Sequence, residues 1–411
     1  MCGSTRRFLS NSAIRCRRGN AALDQRRRHY PKATVPVRVP KADNLQVKVL
    51  ALCLLGVCLE GLCITQRPDD IDDFRAFYRA AQLVGTKDGV YSHPASLPNA
   101  KQQSWFLPYV RIPSWAVMIK PLTALPYRTA RRVWLGLLAL AFGAGIALFP
   151  GPRDKLALAL AFSLPVTYSM VLGQDIAFVL LIVLAAHRLA ASGRDFAAGL
   201  AASLLAIKIT YLLPAGLVFL ARSRRGAYGF ALGTAVQLAV SFLLEGPRWP
   251  FAWLALLRHP KFDMVPTRML NVRAIAAALS LPAPFFIAAS IALLIWLWRI
   301  ARRMSLADAL IVSLPLGMLA SPHSYVYDAV LLIPLLAAVL HRAGTRDASR
   351  VCCLFALSPL PYILLMMPEG PQLLLGSTLV VAATAMSAYA FEWRSLPPVN
   401  TFSPGLLYEK E

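Results

Sequence analysis

The sequence predicts an all-α, polytopic membrane protein of about ten to twelve transmembrane helices. Three observations carry that reading. The 411 residues are 57% hydrophobic and only 15% charged. Their mean hydropathy is +0.55, well above what a soluble domain carries. The apolar residues also gather in runs close to the ~20 residues that a helix needs to cross a bilayer. The expected organisation is a basic tail over 1–46, one membrane domain over 47–390 and a cytoplasmic tail over 391–411.

The N-terminal tail comes first. Residues 1–48 hold twelve Lys or Arg against Asp24 and Asp43 alone, so a large share of the +23 net charge sits there. The tail reads as disordered, cytoplasmic and in contact with anionic lipid. Its Arg-rich, acid-poor composition superficially resembles an organelle transit peptide, a less simple reading. The first apolar run begins too late for a cleavable signal peptide. That run, near 47–64, is the first expected span. The others lie near 110–126, 132–149, 156–172, 175–191, 196–220, 227–244, 283–298, 306–320, 326–340, 351–367 and 372–390.

The remaining positive charge orients these spans. Arg222/Arg224/Arg225, Arg299/Arg302/Arg303 and Arg342/Arg346/Arg350 each fall in a short connection, the positive-inside pattern. It places those loops and both termini in the cytoplasm of a bacterial inner membrane, and no nucleic-acid partner is expected. Walking out from the basic loops puts residues 245–282 and the Ser321-Pro322-His323-Ser324-Tyr325 turn on the external side. Arg128, Arg131 and Arg132 favour a further cytoplasmic turn, which makes 196–220 cross once as a tilted helix. If that stretch is two half-spans, another segment must be re-entrant. The side holding Gly173-Gln174-Asp175 changes with the choice.

The polar residues that chemistry needs gather on the external side. Asp69, Asp70, Asp72 and Asp73 follow the first span and run into an amphipathic stretch, Asp73-Phe74-Arg75-Ala76-Phe77-Tyr78-Arg79-Ala80-Ala81. Carboxylates at a helix start interact favourably with its dipole, and Asp69 and Asp70 fit that role. Asp73 is the candidate general base, a carboxylate able to take a proton from an attacking hydroxyl. A metal-pyrophosphate site would need a second Asp-rich motif, and there is none. Lys208 lies inside the apolar run Leu204-Leu205-Ala206-Ile207-Lys208-Ile209-Thr210-Tyr211; a charge at that depth usually faces a cavity, with snorkelling the alternative. In Ser321–Asp328, His323 can donate to a phosphate oxygen and Asp328 can bind sugar hydroxyls or orient a neighbour. Arg268 and Arg273 lie on the side where arginine is disfavoured and can grip phosphate with two donors, or touch lipid headgroups. Tyr78 and Gln174 complete the candidate substrate contacts. Cys2, Cys16, Cys53, Cys58, Cys63, Cys352 and Cys353 lie in the tail or in spans without metal-ligand spacing. His93, His187, His259 and His341 likewise suggest no metal site.

The order of these pieces resembles a family. An Asp-Phe-x-x-(Phe/Tyr)-Tyr-x-Ala-Ala stretch is followed by Gly89-Val90-Tyr91, by Pro108-Tyr109 and Lys120-Pro121-Leu122-Thr123-Ala124-Leu125-Pro126, then by Ala130-Arg131-Arg132-Val133-Trp134. Gly173-Gln174, Ala206-Ile207-Lys208, Ser321-Pro322-His323 and Tyr327-Asp328 complete it. Over roughly residues 45–340 this resembles glycosyltransferase family 87, also called DUF2029. Its members are C-type membrane glycosyltransferases and include actinobacterial mannosyltransferases that use polyprenyl-phosphate mannose. The chain departs from the family at Asp175, where Asn is common, at Ile209, where Pro is common, and near Tyr327-Asp328, where the actinobacterial members place a His pair.

The resemblance implies a GT-C-like fold and a polyprenyl-phosphate hexose donor, with mannose the first hexose to consider. It implies a lipid or glycan acceptor and an inverting displacement, with Asp73 as base and Lys208, Arg273 and His323 on the leaving phosphate. No cofactor is firmly implied; a divalent metal is compatible but no visible ligand set requires one. Two rival classes remain. A transporter or flippase of a lipid-linked sugar would show internal repeats and charges near the midplane of both halves. A structural or assembly protein would tolerate loss of its external polar residues.

Overall fold

The structure, a computed structural model, describes residues 73–91, 108–151, 153–161, 163–258, 266–341, 347–368 and 370–395. The basic tail, the span near 47–64, Asp69, Asp70, Asp72, His93, His259, the first five cysteines and residues 396–411 lie outside the described residues. Among those described there is helix and no strand.

Asp73 precedes α1 (Phe74–Leu83), which buries Phe74, Phe77, Ala80, Ala81 and Leu83. Phe74 stacks on Trp134 with ring centroids 5.2 Å apart. Next come α2 (Pro113–Ile119) and a 3-10 turn, Lys120–Ala124. Pro113 suits a first helical turn, where its missing N–H costs nothing. The span expected near 110–126 does not cross. Lys120 Nζ donates to the Val84 carbonyl at 3.2 Å and the Tyr78 hydroxyl to the Leu125 carbonyl at 2.8 Å, so both flanks of the turn return to α1.

We call the end carrying Asp73 the aspartate end and the opposite one the arginine end. From the aspartate end α3 (Tyr127–Leu148) runs away, and α4 (Arg153–Ala161) with α5 (Leu164–Leu172) returns. The expected cytoplasmic turn at Arg128, Arg131 and Arg132 is corrected here. The Arg131 guanidinium donates to the Val171 carbonyl at 3.2 Å and the Trp134 indole to the Gly173 carbonyl at 2.8 Å, which puts the start of α3 at the aspartate end. α6 (Ile176–Ala191) then runs parallel to α3, with Gly145 against Leu180 and Leu184.

The next stretch is α7 (Asp195–Ser203), a 3-10 segment Leu204–Tyr211 and α8 (Leu212–Arg222). By length and composition it passes as one span of 28 residues. A straight helix of that length would be ~42 Å long. Instead its ends meet: the Ser223 hydroxyl donates to Asp195 Oδ2 at 2.6 Å. The stretch is therefore a re-entrant hairpin, not the single tilted helix that the loop charges favour. Lys208, at φ −133° and ψ 85°, breaks the helix at its tip. α9 (Arg224–Glu245) clamps the hairpin. A Cβ on Gly199 would lie 1.9 Å from the Gly226 carbonyl oxygen, so only glycine allows α7 and α9 to lie this close. Phe219 of α8 stacks on Phe230 at 5.7 Å.

α9 crosses to the aspartate end, where the Glu245 carboxylate accepts the backbone N–H groups of Gly85 and Val90, both at 3.1 Å. There follow α10 (Trp249–Leu257), a 3-10 turn Pro266–Arg268 and α11 (Val272–Ala278), all at that end. α12 (Ala283–Arg303), α13 (Leu306–Ala320), the 3-10 segment Val326–Leu332 continued by α14 (Ile333–His341), the bent pair α15 (Asp347–Leu357) and α16 (Leu360–Met366), and α17 (Pro371–Ser395) then cross in alternation. Contacts at the two ends fix the order. Arg222 donates to the Arg302 carbonyl and Arg303 pairs with Glu392 at the arginine end, while Arg268 donates to the Met367 carbonyl at the other. This is the alternation expected for the second half of the chain. Among the described residues, five stretches are long and apolar enough to cross a membrane, or six if the bent pair counts as one, and the Asp195–Arg222 hairpin is one of them by length and composition only. Because 110–126 and 196–220 do not cross, the number of spans falls below the list of apolar segments.

Candidate functional site

Two side chains that local rules would assign to helix capping do not cap. Asp73 and Asp175 occupy the N-cap positions of α1 and α6, and neither side chain bonds its own helix. The Asp73 carboxylate instead accepts the Gln174 side-chain amide. Asp175 takes the Arg111 guanidinium in a two-point grip, Nε to Oδ2 at 2.7 Å and Nη2 to Oδ1 at 2.8 Å. Arg111 also reaches Gln174 Oε1 at 3.4 Å, which turns the amide so that its N–H₂ faces Asp73. Gly173, in the left-handed region at φ 65°, ends α5 and makes the turn that presents Gln174 and Asp175. Arg111 and Asp175 are both buried. Burial alone would pull the Arg111 guanidinium down, but the facing Asp175 carboxylate outweighs it and holds the group above its ordinary value.

A second buried pair lies beside the first. Lys208, at the hairpin tip, bonds Asp328 Oδ1, and its ammonium sits 4.9 Å from the Tyr327 ring and 5.7 Å from the Tyr211 ring. Lys208 is 4% exposed and Asp328 fully buried. The two pairs share one electrostatic field, since the Asp328 carboxylate acts on Arg111 and the Asp175 carboxylate acts on Lys208. Tyr327 stacks on Tyr168 at 6.4 Å, and both Asp73 and Arg268 act on the Tyr168 phenol.

Above this layer lies the Ser321–Tyr325 turn. Asn271 Nδ2 donates to the Ser321 carbonyl at 2.8 Å and to Ser324 Oγ at 3.1 Å. Arg273 donates to the Pro322 carbonyl at 2.7 Å, and the His323 ring stands edge-on to Tyr325 at 4.8 Å. Arg268 Nε is buried and has no hydrogen-bond partner among the described residues.

The structure thus joins Asp73 to Gln174, Lys208 to Asp328, and Arg273 to the turn that carries His323. Tyr78 stands apart, its hydroxyl bound to Leu125 and its ring against Tyr127 at 5.4 Å. Gly173-Gln174-Asp175, whose side of the membrane was open, lies at the aspartate end. Sequence reasoning missed Arg111, whose signal was a lone charge between Pro108-Tyr109-Val110 and Ile112-Pro113. It also passed over Asp175, Tyr168 and Tyr327 as site residues. Among the described residues no group of three or more His, Cys, Asp or Glu is placed to hold a metal ion.

Residues 112–322 match the family model of glycosyltransferase family 87. The chain belongs to that family. No curated protein and no solved structure matches it. The match takes in Gln174, Lys208 and Arg273, and leaves Asp73, Tyr78, His323 and Asp328 outside its bounds. This family 87 protein is a membrane glycosyltransferase, and the polar cluster at its aspartate end is its candidate active site.

Proposed function

We propose that this family 87 enzyme moves a hexose from a polyprenyl-phosphate donor to a lipid or glycan acceptor at the aspartate end. The positive-inside pattern makes that end the external, periplasmic face of the inner membrane. Asp73 is the general base. Its carboxylate is half-buried at the start of α1 and held by Gln174 rather than by its own helix. The acceptor hydroxyl gives its proton to Asp73 while its oxygen bonds the anomeric carbon. The bond from that carbon to the lipid phosphate breaks on the opposite face, and the electron pair leaves with the phosphate. A single displacement of this kind inverts the anomeric centre.

The leaving phosphate needs positive charge placed where its own charge develops. Arg268, Arg273 and His323 lie on the 266–273 segment and the 321–325 turn, and Arg268 brings a buried Nε with no partner among the described residues. The observation that carries the reading is the Asp73 carboxylate held by Gln174 at the same end of the bundle as Arg268, Arg273 and the turn that carries His323.

The test is transfer of radiolabelled hexose, mannose first, from polyprenyl-phosphate hexose into membrane lipid extract. Labelled product is expected with the wild type and none with a well-folded Asp73→Asn. Equal product from both would move the base elsewhere. No product with any hexose, together with transbilayer movement of the labelled donor in vesicles, would favour a transporter.

A further inference from the structure

The hairpin tip spends its one charged side chain on the turn next to the donor site. Lys208 has the chemistry of a phosphate ligand, but a carboxylate and two aromatic rings occupy the surroundings of its ammonium. A phosphate reaching it would have to displace Asp328 from a site with almost no solvent. Asp328 is bound from its other side as well: Oδ2 accepts the Tyr325 backbone N–H at 3.0 Å, while the Asp328 N–H returns to the Tyr325 carbonyl at 2.8 Å. The carboxylate thus couples the hairpin tip to Tyr325, whose ring packs on His323. The rest of the turn is laced as tightly. Ser321 Oγ accepts the His323 N–H at 3.0 Å and donates to the His323 carbonyl at 2.8 Å, and the Leu270 N–H donates to the Ser324 carbonyl at 3.0 Å.

We infer that Lys208 and Asp328 are positioning residues, a buried latch between the re-entrant hairpin and the 321–325 turn that holds His323 ready for the lipid phosphate without touching substrate. The role of His323 rests on the donor reading above; the latch itself rests on the geometry. The energetic logic is that of a buried ion pair. Removing one partner leaves an uncompensated charge, whereas replacing both by apolar side chains of similar volume is often neutral. An ordered turn also spares the donor the cost of ordering it on binding.

The experiment uses the full-length protein in nanodiscs, with a long-chain polyprenyl phosphate bearing no sugar as the probe and its dissociation constant as the readout. Asp328→Asn is the decisive variant because it keeps the Lys208 ammonium and removes its partner. A latch predicts weaker binding, by about tenfold if the turn holds its shape in about a tenth of the molecules. A phosphate-ligating Lys208, released from Asp328, would bind the probe as well or better, and that result overturns the inference. The double variant Lys208→Met/Asp328→Leu is the second arm. Under the latch it recovers affinity that Lys208→Met alone loses. A double variant with wild-type melting temperature and the single variant's weak binding would place Lys208 on the phosphate. Hydrogen exchange over residues 321–327 is read in parallel and needs no ligand. Faster exchange in each single variant and recovery in the double support the latch; unchanged exchange in both singles rejects it. If wild type fails to bind polyprenyl phosphate, the donor reading falls while the exchange data still decide the latch.

Discussion

Asp73 and Asp175 show at single residues what separates this site from an ordinary helix start. A carboxylate at an N-cap would normally take the free N–H groups of its own helix. Both side chains here reach across to partners far along the chain, Asp73 to Gln174 and Asp175 to Arg111. The Arg111–Gln174 contact makes the amide a one-way donor toward Asp73. Gln174→Ala should therefore leave the fold intact and cut transfer by up to about a hundredfold, the scale on which a misplaced reacting group costs rate; initial rates at saturating donor check it. Arg111→Met strands the buried Asp175 and should cost about 3–5 kcal/mol of stability, visible as a lower melting temperature in detergent. Adding Asp175→Leu should restore the melting temperature but not the rate, because Gln174 would still lack its orienting partner. Asp73 is a candidate that sequence alone can raise, because an Asp-rich run passes there into an amphipathic stretch. Arg111 is not, because its partners lie 63 and 64 positions away and no local pattern announces them.

At the level of elements, hydropathy measures how long and how apolar a run is, and says nothing of its direction. That is why 196–220 reads as one span and folds as two half-spans. The Asp195–Ser223 bond and the α7–α9 glycine contact make the hairpin directly testable. Cysteines placed at Arg194 and Arg222 should both react with a membrane-impermeant maleimide added from the same side. Labelling from opposite sides would restore the single crossing. Gly199→Ala should lower the melting temperature, since overpacking a close contact costs about 1–3 kcal/mol and the atom it meets is backbone. The segment near 110–126 misleads in the same way. Its helical half buries Pro113, Ala116 and Ile119, and its 3-10 half holds no buried residue.

For the whole molecule, the alternation of the second half was legible because its apolar runs are separated by short basic connections, and Arg222, Arg302 and Arg303 do gather at one end. The first half was not, because Arg128, Arg131 and Arg132 break the rule that the other loops obey. Arg131 is buried and bonded to the Val171 carbonyl, so its charge serves the packing of α3 rather than the topology. A cysteine at the more exposed Arg128 should be labelled from the side opposite to Arg222→Cys, and labelling of both from one side would contradict the fold. The two departures compensate. One apolar segment that does not cross and one that turns back together leave the later spans alternating in the order that the sequence predicts.

The hairpin also bears on how the chain is made. α7 and α8 leave the ribosome before α9, yet α9 supplies the glycine-lined surface on which both rest. Neither half is long enough to stay in lipid as an autonomous span. The ion pair at its tip must wait longer still, because Asp328 is synthesised 120 residues after Lys208. Membrane insertion of the nascent chain therefore cannot complete the candidate site as it proceeds, because an early segment has to dock onto a late one.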